Sequence, residues 1–178
     1  MKPQLWCTYK KERLVKVKIY PIKNKVAPTT NKPDGGLWTS TFTPNDYYCS
    51  DWLAWCATCA PEWSPKSEDQ CWVLIPSKSA RVVEINSERD YLNLMRNFAY
   101  YNEIIAKYTI DWEKLAKFYD AVHLTDNGLI EVGKAEFEFA YPQLQGLNGW
   151  DCESTIWFRW VFDKAIPLSL IPHKCRIR

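Results

Sequence analysis

Two histidines, His123 and His173, are all that this chain of 178 residues offers as a neutral-pH base. Nucleophilic catalysis through Ser or Cys needs such a base beside the nucleophile. His123 lies in a short apolar run, and His173 follows Pro172 near the C-terminus. Neither adjoins a Gly-x-Ser-x-Gly elbow, so a hydrolase triad is not indicated. Glycine is also scarce, at six residues. The adjacent pair Gly35-Gly36 opens a strand pattern and lacks a Gly-Lys-Ser/Thr ending, which excludes a phosphate loop. No apolar run follows the first residue, and none reaches the roughly 18 residues that a membrane span needs. A signal peptide and a membrane partner are therefore not expected, and the expected location is cytoplasmic. An excess of one charge is missing too: 23 Lys and Arg face 21 Asp and Glu, a net +2. Bulk charge thus gives no sign of a phosphate-backbone binder, and the basic stretches near both ends read as solvated faces.

A complete set of zinc ligands is lacking as well. Cys56-x-x-Cys59 has no second pair, since Cys49 and Cys71 each stand alone. Cys56 and Cys59 also recur with Trp52 and Trp55 at helical spacing, as one apolar stripe. No metal is expected. The odd count of seven cysteines in a reducing compartment predicts free thiols throughout.

What the chain has in plenty is aromatic surface: ten Trp, ten Tyr and seven Phe, 15% of all residues. Such side chains build cores, and they also line pockets for planar ligands. The elements read as follows. Alternating apolar and basic residues predict a strand over 14–20, and another is predicted over 37–42. A helix is predicted over 48–60 with Asn45 or Asp46 as cap. Residues 70–76 and 80–85 read as a hairpin or bent pair of strands. Ser87 and Asp90 form an approximate capping box for a helix to about Ala99. A short helix near Trp112, a strand over 121–124, an ambiguous segment over 129–141, a strand over 154–162 and one over 166–171 complete the chain. Strands and helices do not alternate regularly, so the expected class is α+β. The expectation is one domain over 1–178, with a small, twisted, partly split mixed sheet flanked by helices. The ends, 1–13 and 172–178, read as loose.

Two stretches carry candidate chemistry. In the first, Lys32-Pro33-Asp34-Gly35-Gly36-Leu37-Trp38-Thr39-Ser40, the glycines let backbone approach a ligand or simply turn the chain. Trp38 and Ser40 fall on one face of a strand, where an indole and a hydroxyl together suit a flat polar ligand. In the second, Gly149-Trp150-Asp151-Cys152-Glu153-Ser154, two carboxylates stand two residues apart at the mouth of a β-rich run. Strand periodicity turns Asp151 and Glu153 the same way. Neither is expected in the core, because burying an unpaired carboxylate is costly.

In the order and type of these elements the chain resembles the ADP-ribosyltransferase superfamily, whose members cleave NAD between nicotinamide and ribose. The members carry a polar residue on an early strand, an aromatic and hydroxyl strand followed by a helix, and a late Glu opening a strand. Residues 38–41 match the second element and Asp151-Cys152-Glu153 the third. At the first, Lys18 and Tyr20 stand where the family usually has Arg or His. Two residues before the Glu the family often has Gln or Glu, and here it is Asp. The resemblance implies NAD as substrate and a protein or nucleic acid as acceptor. It implies Glu153 as the carboxylate that stabilises an oxocarbenium-like transition state and Asp151 as the group serving the acceptor. It implies a nicotinamide pocket of Trp38, Ser40, Gly36, Tyr20 and Trp52. The Lys-Pro-x-Gly-Gly-Leu-Trp-x-Ser stretch is also similar to uncharacterised bacteriophage proteins. The rival expectation is a non-enzymatic binding protein, phage-encoded, that blocks a host factor through its aromatic surface. A third is a nucleic-acid module using Trp stacking together with the basic ends.

Overall fold

A computed structural model of the chain describes all residues except 10–13, 15–18, 134 and 178. The strand expected over 14–20 falls largely on these, and Lys18 lies outside the described residues. The fold is α+β, a single domain built on a mixed sheet. Ten strands are found among the described residues: β1 (Gln4–Cys7), β2 (Tyr20–Lys23), β3 (Asp34–Thr41), β4 (Cys71–Pro76), β5 (Val82–Ile85), β6 (Ala99–Asn102), β7 (Lys107–Ile110), β8 (Ala121–Leu124), β9 (Ser154–Trp157) and β10 (Phe162–Pro167). The helices are α1 (Asp51–Cys59), α2 (Glu88–Phe98), α3 (Trp112–Phe118), α4 (Asp126–Val132) and α5 (Ala135–Ala140). None of these helices is long and apolar enough to cross a membrane.

The main sheet runs β10-β4-β1-β3-β9-β8-β5, with β2 added on β3. All pairings in it are antiparallel except β5 with β8. That parallel pair needs a long crossover, which α2, the β6–β7 hairpin and α3 provide. Strand β3 divides its partners along its length. Its start pairs with β2 (Tyr20↔Gly36), its middle with β9 (Leu37↔Trp157 to Thr39↔Thr155), and its end with β1 (Leu5↔Ser40, Gln4↔Thr41). The sheet therefore splits where β1 leaves β3. Behind β9, β8 and β5 lies one core, with Tyr91 and Leu94 of α2, Trp112 and Leu115 of α3, and Ile156 and Val122 of the sheet. Behind β1 and β4 lies another, with Leu53 of α1, Leu5, Val73 and the C-terminal segment.

Local signals explain most helix starts. Ser50, Ser87, Asp111 and Thr125 each accept a hydrogen bond from a backbone N–H in the first turn of α1, α2, α3 and α4. Ser50, and not Asn45 or Asp46, is thus the cap of α1. The ambiguous segment over 129–141 resolves into the end of α4 and α5. Of the hairpin or bent pair expected over 70–76 and 80–85, both strands form as β4 and β5, but they do not pair with each other, because both edges of β4 are taken by β1 and β10. The expected strand over 154–162 breaks after Trp157. The chain reverses so that Trp157 and Phe162 pack at 4.5 Å in one cluster. Strand β10 ends at Pro167, and Leu168–Leu170 form a 3-10 turn.

Of the two end segments, residues 4–7 and 174–176 are tied into the fold. Strand β1 is an interior strand, and its burial repays the ordering of the N-terminus. At the other end Cys175 forms a disulfide with Cys49, Cα atoms 5.1 Å apart. Lys174 N–H and Arg176 N–H donate to the carbonyls of Pro44 and Tyr47 at 2.8 and 2.9 Å. The expectation of free thiols throughout is thereby corrected: the free cysteines are Cys7, Cys56, Cys59, Cys71 and Cys152. Spacing could not show the bridge, because its partners are 126 residues apart.

Candidate active site

Where β1 and β3 diverge, a cleft of about 520 Å³ opens. Its walls come from Leu5, Trp6 and Cys7 of β1, from Gly36 to Thr39 of β3, and from Asp151, Cys152 and Ser154 at the entry to β9. Trp52, Trp55 and Trp63 close it, and Lys25 and Lys32 add two cations. Gly36 is required here. Its φ is +73°, and a Cβ would sit 2.8 Å from Ile156 Cγ1. Trp38 is held edge-on to Trp150, ring centroids 4.8 Å apart. Trp52 stacks on Trp55 at 5.3 Å and on Trp63 at 6.2 Å. Lys32 Nζ lies 5.1 Å from the centre of the Trp38 ring and 3.8 Å from Asp151 Oδ2. Burial holds the Lys32 ammonium below its ordinary pKa, against the pull of Asp151.

At the apex of the split, beside the last β1–β3 pairs, sits Glu153. Ser40 Oγ donates to its Oε2 at 2.6 Å and Thr41 N–H to the same oxygen at 2.9 Å. Thr41 Oγ1 donates to Oε1 at 2.9 Å. His123 Nδ1 lies 3.3 Å from Oε1 and 2.9 Å from Thr155 Oγ1. Burial pushes the His123 imidazole below its usual range, opposed by the Glu153 charge. The imidazole is therefore neutral at pH 7, and the contact with Glu153 is polar rather than an ion pair. On the far side, at the start of α1, burial and the nearby Asp126 and Glu153 push the Asp51 carboxyl up to about 6.

The structure joins the two candidate stretches through Ser40 and Glu153, and it places Trp38, Gly36, Trp52 and Asp151 on the cleft wall. Four expectations need correction. Asp151 and Glu153 do not share a face, because the strand begins only at Ser154 and the chain bends between them. Asp151 is exposed on the wall, while Glu153 turns inward. Ser40 and Glu153, 1% and 5% exposed, lie beneath the wall and do not form part of it. Glu153 is a buried carboxylate after all, tolerated because its oxygens are hydrogen-bonded. Tyr20 is 69% exposed, pairs with Gly36 in β2, and does not line the cleft.

His123, Thr41, Thr155, Trp55, Trp63 and the two lysines complete the neighbourhood. His123 reaches Glu153 only through the adjacency of β8 and β9, which no local signal announces. Cys152 is no ready nucleophile, since burial pushes its thiol up to about 11. Cys56 is buried in α1, but Cys59 is exposed and so lies off the expected stripe. Compared with family models, with curated proteins and with solved structures, the chain finds no match in any of the three.

Proposed function

We propose that the chain transfers ADP-ribose from NAD to a macromolecular acceptor. The observation that carries this reading is the hydrogen bond from Ser40 to Glu153, at the apex of a tryptophan-walled cleft. The hydroxyl strand and the glutamate strand that the resemblance named are neighbours here, as that chemistry requires. Nicotinamide in NAD is a flat cation, which suits the face of Trp38. Lys25 and Lys32 suit the diphosphate. Glu153 is fixed by its partners before any ligand enters, so its charge meets a developing oxocarbenium ion without reorganisation. The ribose must reach the wall residues flanking Glu153, Cys152 and Ser154. Asp151, exposed at the wall, is placed to serve the acceptor as base or positioning group.

The second reading is a binding protein without turnover. The seclusion of Ser40 and Glu153 beneath the wall favours it, as does the stacked Trp52–Trp55–Trp63 face. The experiment measures NAD binding by tryptophan fluorescence, and nicotinamide release, for wild type, Glu153→Gln, Asp151→Asn and Trp38→Ala. Glu153→Gln should lower turnover about a hundredfold or more, roughly 3–4 kcal/mol of transition-state stabilisation, with little change in NAD affinity. Asp151→Asn should slow transfer more than NAD hydrolysis, and Trp38→Ala should weaken binding. Wild type that neither binds nor consumes NAD would end the proposal and leave the binding-protein reading. Full turnover in Glu153→Gln would move the catalytic charge elsewhere.

A further inference from the structure

We propose that Cys49, His173 and Cys175 form a redox-gated site for a thiophilic divalent cation, of which Zn²⁺ is the type. One ligand atom from each of the three lies within 4.8 Å of the others. A tetrahedral ion with bonds of about 2.3 Å to sulfur and 2.0 Å to nitrogen sets its ligand atoms roughly 3.5–3.8 Å apart. The cluster therefore needs only small side-chain shifts once the sulfurs separate. Cys49 and Cys175 are buried, and the His173 side chain is 9% exposed.

The second observation is the state of that imidazole. Its Nδ1 is buried with no hydrogen-bond partner. Its Nε2 lies 3.6 Å from Glu68 Oε1. An unused buried nitrogen on one side and a carboxylate on the other is the arrangement of a metal-bound histidine with its outer-shell acid. A buried polar atom left unpaired otherwise only destabilises.

The chemistry balances in two steps. A dithiol reductant gives two electrons and two protons to the Cys49–Cys175 bridge and becomes a disulfide itself. The two thiols then release two protons as they bind M²⁺ as thiolates, with His173 as the neutral third ligand and water as the fourth. In either state the cross-link ties the C-terminal segment to Cys49. The next residue, Ser50, caps α1, whose Trp52 and Trp55 wall the cleft. The site thus holds the cleft wall in place under oxidising and reducing conditions alike.

Co²⁺ is the probe, because thiolate-to-cobalt charge transfer gives a near-ultraviolet band and tetrahedral cobalt gives strong visible bands. The full chain is titrated before and after reduction by a non-coordinating phosphine, then back-titrated with Zn²⁺. One equivalent should bind only after reduction, with both bands, and Zn²⁺ should displace it. Zn²⁺ should also restore the melting temperature that reduction lowers. His173→Ala, which leaves both thiols in place, should weaken Co²⁺ binding roughly tenfold or more and shift the visible bands. The double variant Cys56→Ser/Cys59→Ser should bind as wild type does. Reduced wild type without the charge-transfer band would overturn the proposal, and it needs no variant to do so. Unchanged binding in His173→Ala, or binding lost in the Cys56/Cys59 variant, would overturn it equally.

Discussion

Replacing Glu153 by alanine should destabilise the fold strongly, whatever the fate of catalysis. The side chain accepts from two hydroxyls, Ser40 and Thr41, and from one backbone N–H, that of Thr41. The hydroxyls can turn to other acceptors once it is gone, and each costs only the net worth of a hydrogen bond. The backbone N–H cannot turn. A buried donor left unpaired costs about 1–3 kcal/mol, and a bond to a charged group is worth about 1.5–3. Together these give a loss of about 3–5 kcal/mol. For a chain of this size each kcal/mol moves the melting temperature by about 2–4 °C, so the shift should be about 6–20 °C. Glu153→Gln keeps one oxygen for Ser40 and Thr41 N–H. It turns its amide toward Thr41 Oγ1 and His123 Nδ1, and both can accept. It should lose only the charge-assisted part, about 1–2 kcal/mol. Thermal unfolding followed by circular dichroism, at one pH and one redox state, decides. A Glu153→Ala protein that melts within about 2 °C of wild type, or above Glu153→Gln, would refute this account of the apex.

Two further outcomes follow from the same structure. Without reductant the denatured chain should titrate five thiols, the free cysteines named above, and reduction should raise the count to seven. In the chain-entropy model a bridge across 126 residues contributes about 5 kcal/mol, so metal-free reduced protein should melt about 10–20 °C lower. A count of seven before reduction would remove the bridge. The Asp51 carboxyl, raised from 3.8 to about 6, favours the folded state most when protonated. Its contribution is full below about pH 3.8 and lost as pH rises through about 6. Asp51→Asn should therefore raise the melting temperature at pH 8 and leave it nearly unchanged at pH 4. An equal shift at both values would contradict the burial and charge crowding assigned to Asp51.

Local chemistry was legible along the chain, and pairing across it was not. Ser87 with Asp90, the short apolar run over 121–124 and the glycine pair before Trp38 each announce their element from a few adjacent residues. Strand β1 has only four residues, too few for a period to register beside a basic neighbourhood, yet two strands flank it. The candidate site divides the same way. Trp38, Gly36 and Asp151 could be read from residue type, while Trp52 entered only through the resemblance. The inward turn of Glu153 could not, because strand β9 begins only one residue later. His123 and Cys175 join their partners only through the fold.

Strand β3 also sets the timing of assembly. Its middle is completed by β9, far along the chain, and Ser40 near its end meets Glu153 across 113 residues. During synthesis at about 5–20 residues per second, the first half of the cleft must wait roughly 6–23 s for the second. Over that interval the stretch of β3 that β9 will pair is an unsatisfied edge, exposed to wrong pairing. Pairings so distant in sequence also imply slow refolding, with the cleft among the last features to form.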